Sequence, residues 1–287
     1  MKLLRVGAPG QEKPAILDAD GKARDLSSVI SDIAGDALLP ESLAKIAAID
    51  PSTLRVLEEG RIGPCVGSVG KFICIGLNYS DHAAESGLDV PKEPVIFMKA
   101  TSAICGPNDT VLIPRKSVKT DWEVELGVVI GKGGVYIDEA DALDHIVGYC
   151  VVNDVSEREF QIERGGTWDK GKGCDTFGPI GPWLVTRDEI PDPQRLFIWL
   201  DVNGERMQTG NTRTMIFPVA KLVSYVSQFM TLNPGDVITT GTPPGVGMGR
   251  RDAQGQPAPR FLKKGDVMTM SIQGLGEQRQ RIVPFRA

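Results

Sequence analysis

An α+β fold dominated by β-structure is predicted from three features of the sequence. Short apolar stretches recur at strand length, Gly, Pro, Asn and Asp separate them, and helical periodicities are few. Residues 1–66 read as a small N-terminal α+β domain and residues 70–287 as a larger β-rich domain. In the first unit, 2–6 and 15–17 are strand-like, and Asp18-Ala19-Asp20-Gly21 is a turn signal. Helical patterns follow over 40–49 and 50–59, the second with Asp50 as N-cap and Pro51 at its first position. The Gly- and Pro-bearing stretch 60–70 is a linker. Beyond it, strands are predicted at 71–75, 95–99, 122–130, 146–152, 197–202, 236–240 and 267–272, and a helix at 219–229.

Bulk properties exclude several classes of function. With 287 residues, 41% hydrophobic and 24% charged, the chain has the balance of an ordinary globular protein. No apolar run approaches the ~20 residues of a membrane span, and the first residues lack the apolar core of a secretory signal. A cytoplasmic protein with no membrane partner is expected. The net charge of −5 and the absence of a Lys/Arg run argue against a nucleic-acid partner. Five cysteines form no C-x-x-C pair and are expected to be reduced and packed as small hydrophobes.

Chemistry concentrates in two segments. As a strand, 121–130 puts Val124, Leu126, Val128 and Ile130 on one face and Glu123 and Glu125 on the other, about 7 Å apart. Like charges so placed need water or a cation between them, and a lone E-x-E pair fits either. The stretch 146–152 is apolar on both faces, the mark of a buried strand, and it runs directly into Asn153 and Asp154. Ser156 and Glu159 form a capping-box pattern that predicts a helix immediately afterwards. Three carboxylates suit a hard cation that keeps open water positions, meaning Mg²⁺ or Mn²⁺. With two histidines and no zinc-type spacing, zinc is disfavoured.

Several ordered motifs resemble the fumarylacetoacetate hydrolase family. Gly76-Leu77-Asn78-Tyr79-Ser80-Asp81-His82-Ala83-Ala84-Glu85 looks like its G-x-N-Y-x-x-H-x-x-E element. The stretch 93–99, the acidic segment 121–131, 153–161, Lys172 and the loop Thr240-Gly241-Thr242-Pro243-Pro244-Gly245-Val246-Gly247 follow in the family's order. The resemblance spans roughly 70–275 and implies a mixed β-roll, a homodimer or higher homo-oligomer, and one divalent cation on Glu123, Glu125 and Asp154. It also implies a water-activating dyad of His82 and Glu85, Lys172 at the substrate oxo group, and Arg158, Gln161 and Thr242 as substrate contacts. Many relatives carry a basic residue where this chain has Leu77, which removes one anion contact.

These assignments sit beside the plain reading of each residue. His82 and Glu85 at i, i+3 meet on one helical turn, so the carboxylate can orient the ring. His145 has no such context and is expected to be structural. Lys172 lies in a Gly-rich stretch that otherwise reads as a solvated loop, and Cys174 reads as packing. The 240–249 loop lacks the P-loop pattern and reads as a tight loop bringing backbone N–H groups and Thr242 to a carboxylate. Residues 86–91 are expected to form a lid over ligand. The run 71–181 looks most like hydrolases of 2,4-diketo-3-deoxy sugar acids of the rhamnonate and fuconate type, which release pyruvate and lactate. The family also includes oxaloacetate decarboxylases, acylpyruvate hydrolases, ureidoglycolate lyases and hydroxyheptadienedioate isomerases, and a non-catalytic metal- or ligand-binding module is the reading of another class.

Overall fold

A computed structural model describes residues 1–81 and 90–285. Its centre is a ten-stranded mixed sheet. Strand Val124–Ile130 lies in the middle, antiparallel to Ile146–Asn153 on one side and to Val237–Thr239 on the other. Phe72–Gly76 runs parallel to Val237–Thr239, and Val95–Lys99 closes that edge. In the other direction Ile146–Asn153 pairs with Gly178–Thr186. A second sheet of five strands contains Glu205–Asn211, Phe197–Val202, Val267–Ile272, Gly276–Pro284 and Val111–Ile113.

The main core fills the space between the sheets. Val124, Leu126, Val128 and Ile130 meet Ile198, Leu200, Met268 and Met270 there, all essentially solvent-free. Each such side chain contributes about 1.5–3 kcal/mol of burial. The period-two alternation therefore sends the alternate residues Glu125, Gly127 and Val129 to the opposite face. Gly127 leaves room there, since a Cβ would lie 2.6 Å from Val152 and 2.8 Å from the Cys150 sulfur. This mixed, β-rich α+β architecture is the β-roll expected from the sequence.

The N-terminal unit is continuous with that sheet. Lys2–Val6 pairs antiparallel with Gly178–Thr186, and Lys13–Leu17 and Ala23–Asp25 follow outward. Its apolar residues Leu3, Ile16, Leu26, Ile33 and Leu38 join Phe72, Val129, Cys150 and Ile180 in a second core cluster. One sheet thus crosses the 66–70 division drawn from composition. Among the described residues, no helix is long and apolar enough to cross a membrane.

Two helix predictions need correction. The helix expected over 50–59 is only a 3₁₀ turn at Pro51–Thr53, although Asp50 does cap it by accepting the Ser52 N–H. The chain beyond is drawn into β-type pairing instead. The Asp25 N–H donates to the Arg55 carbonyl, the Leu57 N–H donates to the Ala23 carbonyl, and Val56 bridges Arg24. The capping box at Ser156 and Glu159 does not form either. The Ser156 hydroxyl donates to the Asp154 carbonyl, Ser156–Glu157 pairs with Thr120–Asp121, and the turn that follows, Glu159–Glu163, is π-helical. The helix predicted at 219–229 is regular over Val219–Val226.

Candidate active site

The two acidic segments meet where their strands pair. Asn153 lies opposite Val124, and the Asp154 N–H donates to the Glu123 carbonyl at 2.8 Å. Glu123, Glu125 and Asp154 each bring an oxygen within 4.8 Å of the others, and all three are buried. Glu123 and Glu125 form the polar floor of a cavity of about 450 Å³, with Asp154 buried behind them. Ile75, Leu77, Phe97, Ile162 and Trp168 form apolar wall, and Arg250 and Arg251 stand in the lining contributed by the 247–257 segment. Trp168 packs edge-on to Phe97 at 5.3 Å, and a Cβ on Gly76 would lie 2.5 Å from the Trp168 ring.

Three cations face these carboxylates. Lys172, on the short helical turn Asp169–Lys172, is buried and places Nζ 2.6 Å from both Glu123 Oε2 and Asp154 Oδ2. Arg158 donates from Nη2 to Glu123 Oε1 at 2.6 Å, from Nε to Asp121 Oδ2 at 2.9 Å and from Nη1 to Gln161 Oε1 at 3.1 Å. Lys99 donates to Asp154 Oδ1 at 2.6 Å and to the Val155 carbonyl at 3.0 Å. Among the described residues, Asp121 joins Glu123 and Asp154 as a carboxylate partner of these three cations.

The titration behaviour follows from this arrangement. Burial, then the neighbouring Asp154 and Glu123, push the Glu125 carboxyl well above the usual carboxylate range. Burial also pushes Glu123 up, but Lys172 and Arg158 outweigh it and hold that carboxyl well below the usual range. For Lys172 burial disfavours the ammonium, yet Asp154 and Glu123 outweigh it and raise its pKa. A divalent cation among these oxygens fits the donor set: all-oxygen, buried, and already gathered around an ammonium.

The 240–249 loop closes the site from above the floor. Gly241 adopts φ +91° and a Cβ there would lie 2.9 Å from the Asn78 Cβ, so only glycine fits while its N–H donates to Glu125 Oε2 at 2.9 Å. Thr242 lines the cavity, but its hydroxyl is committed: it donates to the Val124 carbonyl at 2.9 Å and accepts from Gln208 at 2.7 Å. Asp121 anchors the loop's far end by accepting the Gly247 and Met248 N–H groups at 2.7 and 3.0 Å.

The structure thus brings together Glu123, Glu125, Asp154, Arg158, Gln161, Lys172 and Thr242. Lys172 is buried rather than a solvated loop residue. His82, Glu85 and the 86–89 part of the expected lid lie outside the described residues. His145 bonds the Lys132 carbonyl through Nδ1 at 2.7 Å, in keeping with a structural role, and Cys174 is partly buried against the main core. Sequence reasoning assigned no role to Lys99, Asp121 or Gln208. Asp121 carried a signal, as a third acid beside the E-x-E pair; Lys99 carried none beyond its place in a predicted strand, and Gln208 carried none.

Known proteins share this architecture. A model of the fumarylacetoacetate (FAA) hydrolase C-terminal domain matches residues 71–283. A Burkholderia multivorans protein, whose name goes no further than an unspecified hydrolase, is 68% identical over 281 residues, 98% of each chain. A fumarylacetoacetate hydrolase from psychrophilic Exiguobacterium antarcticum superposes with a TM-score of 0.85 at 33% identity, covering 99% of this chain and 100% of that one. A maleylpyruvate hydrolase from Sphingobium sp. SYK-6, solved with manganese(II) and pyruvate, gives a TM-score of 0.80 at 27% identity, with 100% of both chains covered. By its sequence motifs, its β-roll and these matches, the chain belongs to the fumarylacetoacetate hydrolase family of hydrolases and isomerases.

Proposed function

We propose that the protein is a divalent-cation-dependent hydrolase that cleaves the C3–C4 bond of a 2,4-dioxo acid. The observation that carries this reading is the convergence of Glu123, Glu125 and Asp154 at a cavity whose lining also holds Lys172 and Arg158. Magnesium or manganese held by those three carboxylates supplies Lewis acidity and a template for an oxo acid. A structural neighbour solved with manganese(II) and pyruvate supports the choice of cation and product.

The chain's own groups account for the rest. His82, oriented by Glu85, takes a proton from water as the water adds to C4. The C3–C4 bond then breaks, its electrons move into a pyruvate enolate, and the Lys172 ammonium stabilises the enolate oxygen. Protonation at C3 releases pyruvate. Arg158, with Gln161 fixed beside it, orients the substrate, as does the backbone at Thr242. The walls at Leu77, Phe97 and Trp168 accept an uncharged, methyl-ended chain, which favours a 2,4-diketo-3-deoxy sugar acid of the rhamnonate or fuconate type, giving pyruvate and lactate.

The test is an assay of purified protein with Mg²⁺ against 2,4-dioxo acids, oxaloacetate and ureidoglycolate. Pyruvate should appear from the dioxo acids, chelator should abolish it, and Mg²⁺ or Mn²⁺ should restore it. His82→Ala should lower hydrolysis by ~10²–10⁴-fold while deuterium still exchanges at C3 of bound pyruvate. Lys172→Gln should impair both reactions, since each passes through the enolate. Full activity in metal-free protein would sink the proposal.

A further inference from the structure

Each carboxylate of the cluster has one oxygen already taken by a fixed donor. Arg158 Nη2 holds Glu123 Oε1 at 2.6 Å, the Gly241 N–H holds Glu125 Oε2 at 2.9 Å, and Lys99 Nζ holds Asp154 Oδ1 at 2.6 Å. The other oxygens of Glu123 and Asp154 both face the Lys172 ammonium, 2.6 Å from each. In Glu123 and Asp154 one oxygen is thereby held by a peripheral donor while the other faces the Lys172 ammonium.

Lys99 is unlike the other two donors. It is fully buried, it does not line the cavity, and its second bond to the Val155 carbonyl at 3.0 Å ties it behind Asp154. From there it does not reach the cavity, but it occupies one of the two oxygens that Asp154 carries.

We infer that Lys99 is a positioning residue that restricts Asp154 to ligation through one oxygen, so that the site selects Mg²⁺ or Mn²⁺ over Ca²⁺. This rests on the reading that Glu123, Glu125 and Asp154 hold a divalent cation. Mg²⁺ takes six oxygens at about 2.0–2.1 Å, whereas Ca²⁺ takes six to eight at about 2.3–2.6 Å and gains from two-oxygen carboxylates. Three single oxygens leave an octahedral ion three positions for water and substrate, and leave the larger ion underfilled. Freeing Asp154 Oδ1 adds a fourth protein oxygen. The lysine's charge repels any dication, so that effect largely cancels in a ratio of two ions of equal charge; the number of oxygens does not.

The experiment is titration calorimetry of metal-free protein with MgCl₂, MnCl₂ and CaCl₂, on the wild type, Lys99→Met and Lys99→Gln. Lys99→Met should shift the Ca²⁺-to-Mg²⁺ affinity ratio toward calcium by roughly tenfold or more, the scale seen when a partner of a metal ligand is lost. Lys99→Gln keeps a donor for Oδ1 and should hold the ratio near wild type. A plain ion-pair role would change both affinities together, so an unchanged ratio in folded Lys99→Met overturns the inference while leaving the cation site standing. Failure of the wild type to bind any of the three ions would remove the proposed function as well. Should Lys99→Met not fold, a crystal structure of the Mn²⁺-loaded wild type decides. Lys99 still on Oδ1 with one Asp154 oxygen on the metal supports the inference, and two Asp154 oxygens on the metal overturn it.

Discussion

The same ten-stranded sheet carries ion pairs at its N-terminal end and at its centre, built in opposite ways. In the extension, Arg5 pairs with Asp32 at 2.7 Å, Arg24 with Asp18 at 2.7 Å and Arg61 with Glu12 and Asp109 at 2.8 and 2.6 Å, and every cation keeps contact with water. At the centre, Lys99, Lys172 and Arg158 are no more than 5% exposed, and Glu123 and Asp154 each serve two of them. Pairs of the first kind contribute little, about 0–1 kcal/mol each, and act as ties between segments already held by apolar packing. Buried charges lose their hydration, at several kcal/mol per ion, and stay tolerable only while every partner is present. The centre therefore depends on completeness, and the extension does not.

The largest expected effect follows from that dependence. Asp154→Asn removes the carboxylate that two buried lysines share and should destabilise metal-free protein by about 3–5 kcal/mol. Asp32→Asn should cost about 1 kcal/mol or less. Urea denaturation of both variants at neutral pH makes the comparison, and equal losses would break it. Glycines sharpen it through the backbone. Gly245 has φ +103° and a Cβ there would lie 1.9 Å from the Met207 carbonyl oxygen, whereas Gly21 has φ +76° with nothing within 4 Å. Gly21→Ala should cost only the local strain, about 1–2 kcal/mol, and Gly245→Ala clearly more because the site loop must move. Thermal melts of the two variants test this, with Gly245→Ala expected to melt lower.

The centre was also the more legible region in the sequence. Alternation alone separated Val124, Leu126, Val128 and Ile130 from Glu123 and Glu125, because a two-residue period fixes which side chains share a face. The buried run ending at Asp154 was visible as continuous hydrophobicity. Strand-to-strand contacts were not: nothing local in Val95–Lys99 says that Lys99 meets Asp154 across 55 positions. The helix expected at 50–59 failed for the same reason. Asp50 and Pro51 start a turn as their chemistry dictates, but β-pairing with 23–25 takes the chain that follows. The strand Gly276–Pro284 escaped notice because its exposed face is charged and its buried face includes Gln278 and Gln280, which bond one another and main-chain carbonyls.

The smallest expected effect is a pH dependence in the extension. Burial raises the Glu12 carboxyl, but the hydrogen bond from Arg61 and the charges of Arg5 and Arg61 outweigh it and lower its pKa below the ordinary 4.5. A carboxyl lowered by folding adds stability that is fully present above the unfolded value and is lost as pH falls through the folded one. Glu12→Gln removes the titration while keeping an acceptor for Arg61. The wild type should therefore melt above Glu12→Gln near pH 6, and the gap should narrow as pH falls below about 4.5 toward 3, because protonated Glu12 then resembles glutamine. Glu123, whose carboxyl is also lowered, is common to both proteins, so its acid response subtracts out in the difference. A gap that stays constant from pH 6 to pH 3 would mean that Arg5 and Arg61 leave Glu12 at its ordinary value. Part-exposed ties of this kind would then hold chain segments in place through geometry alone.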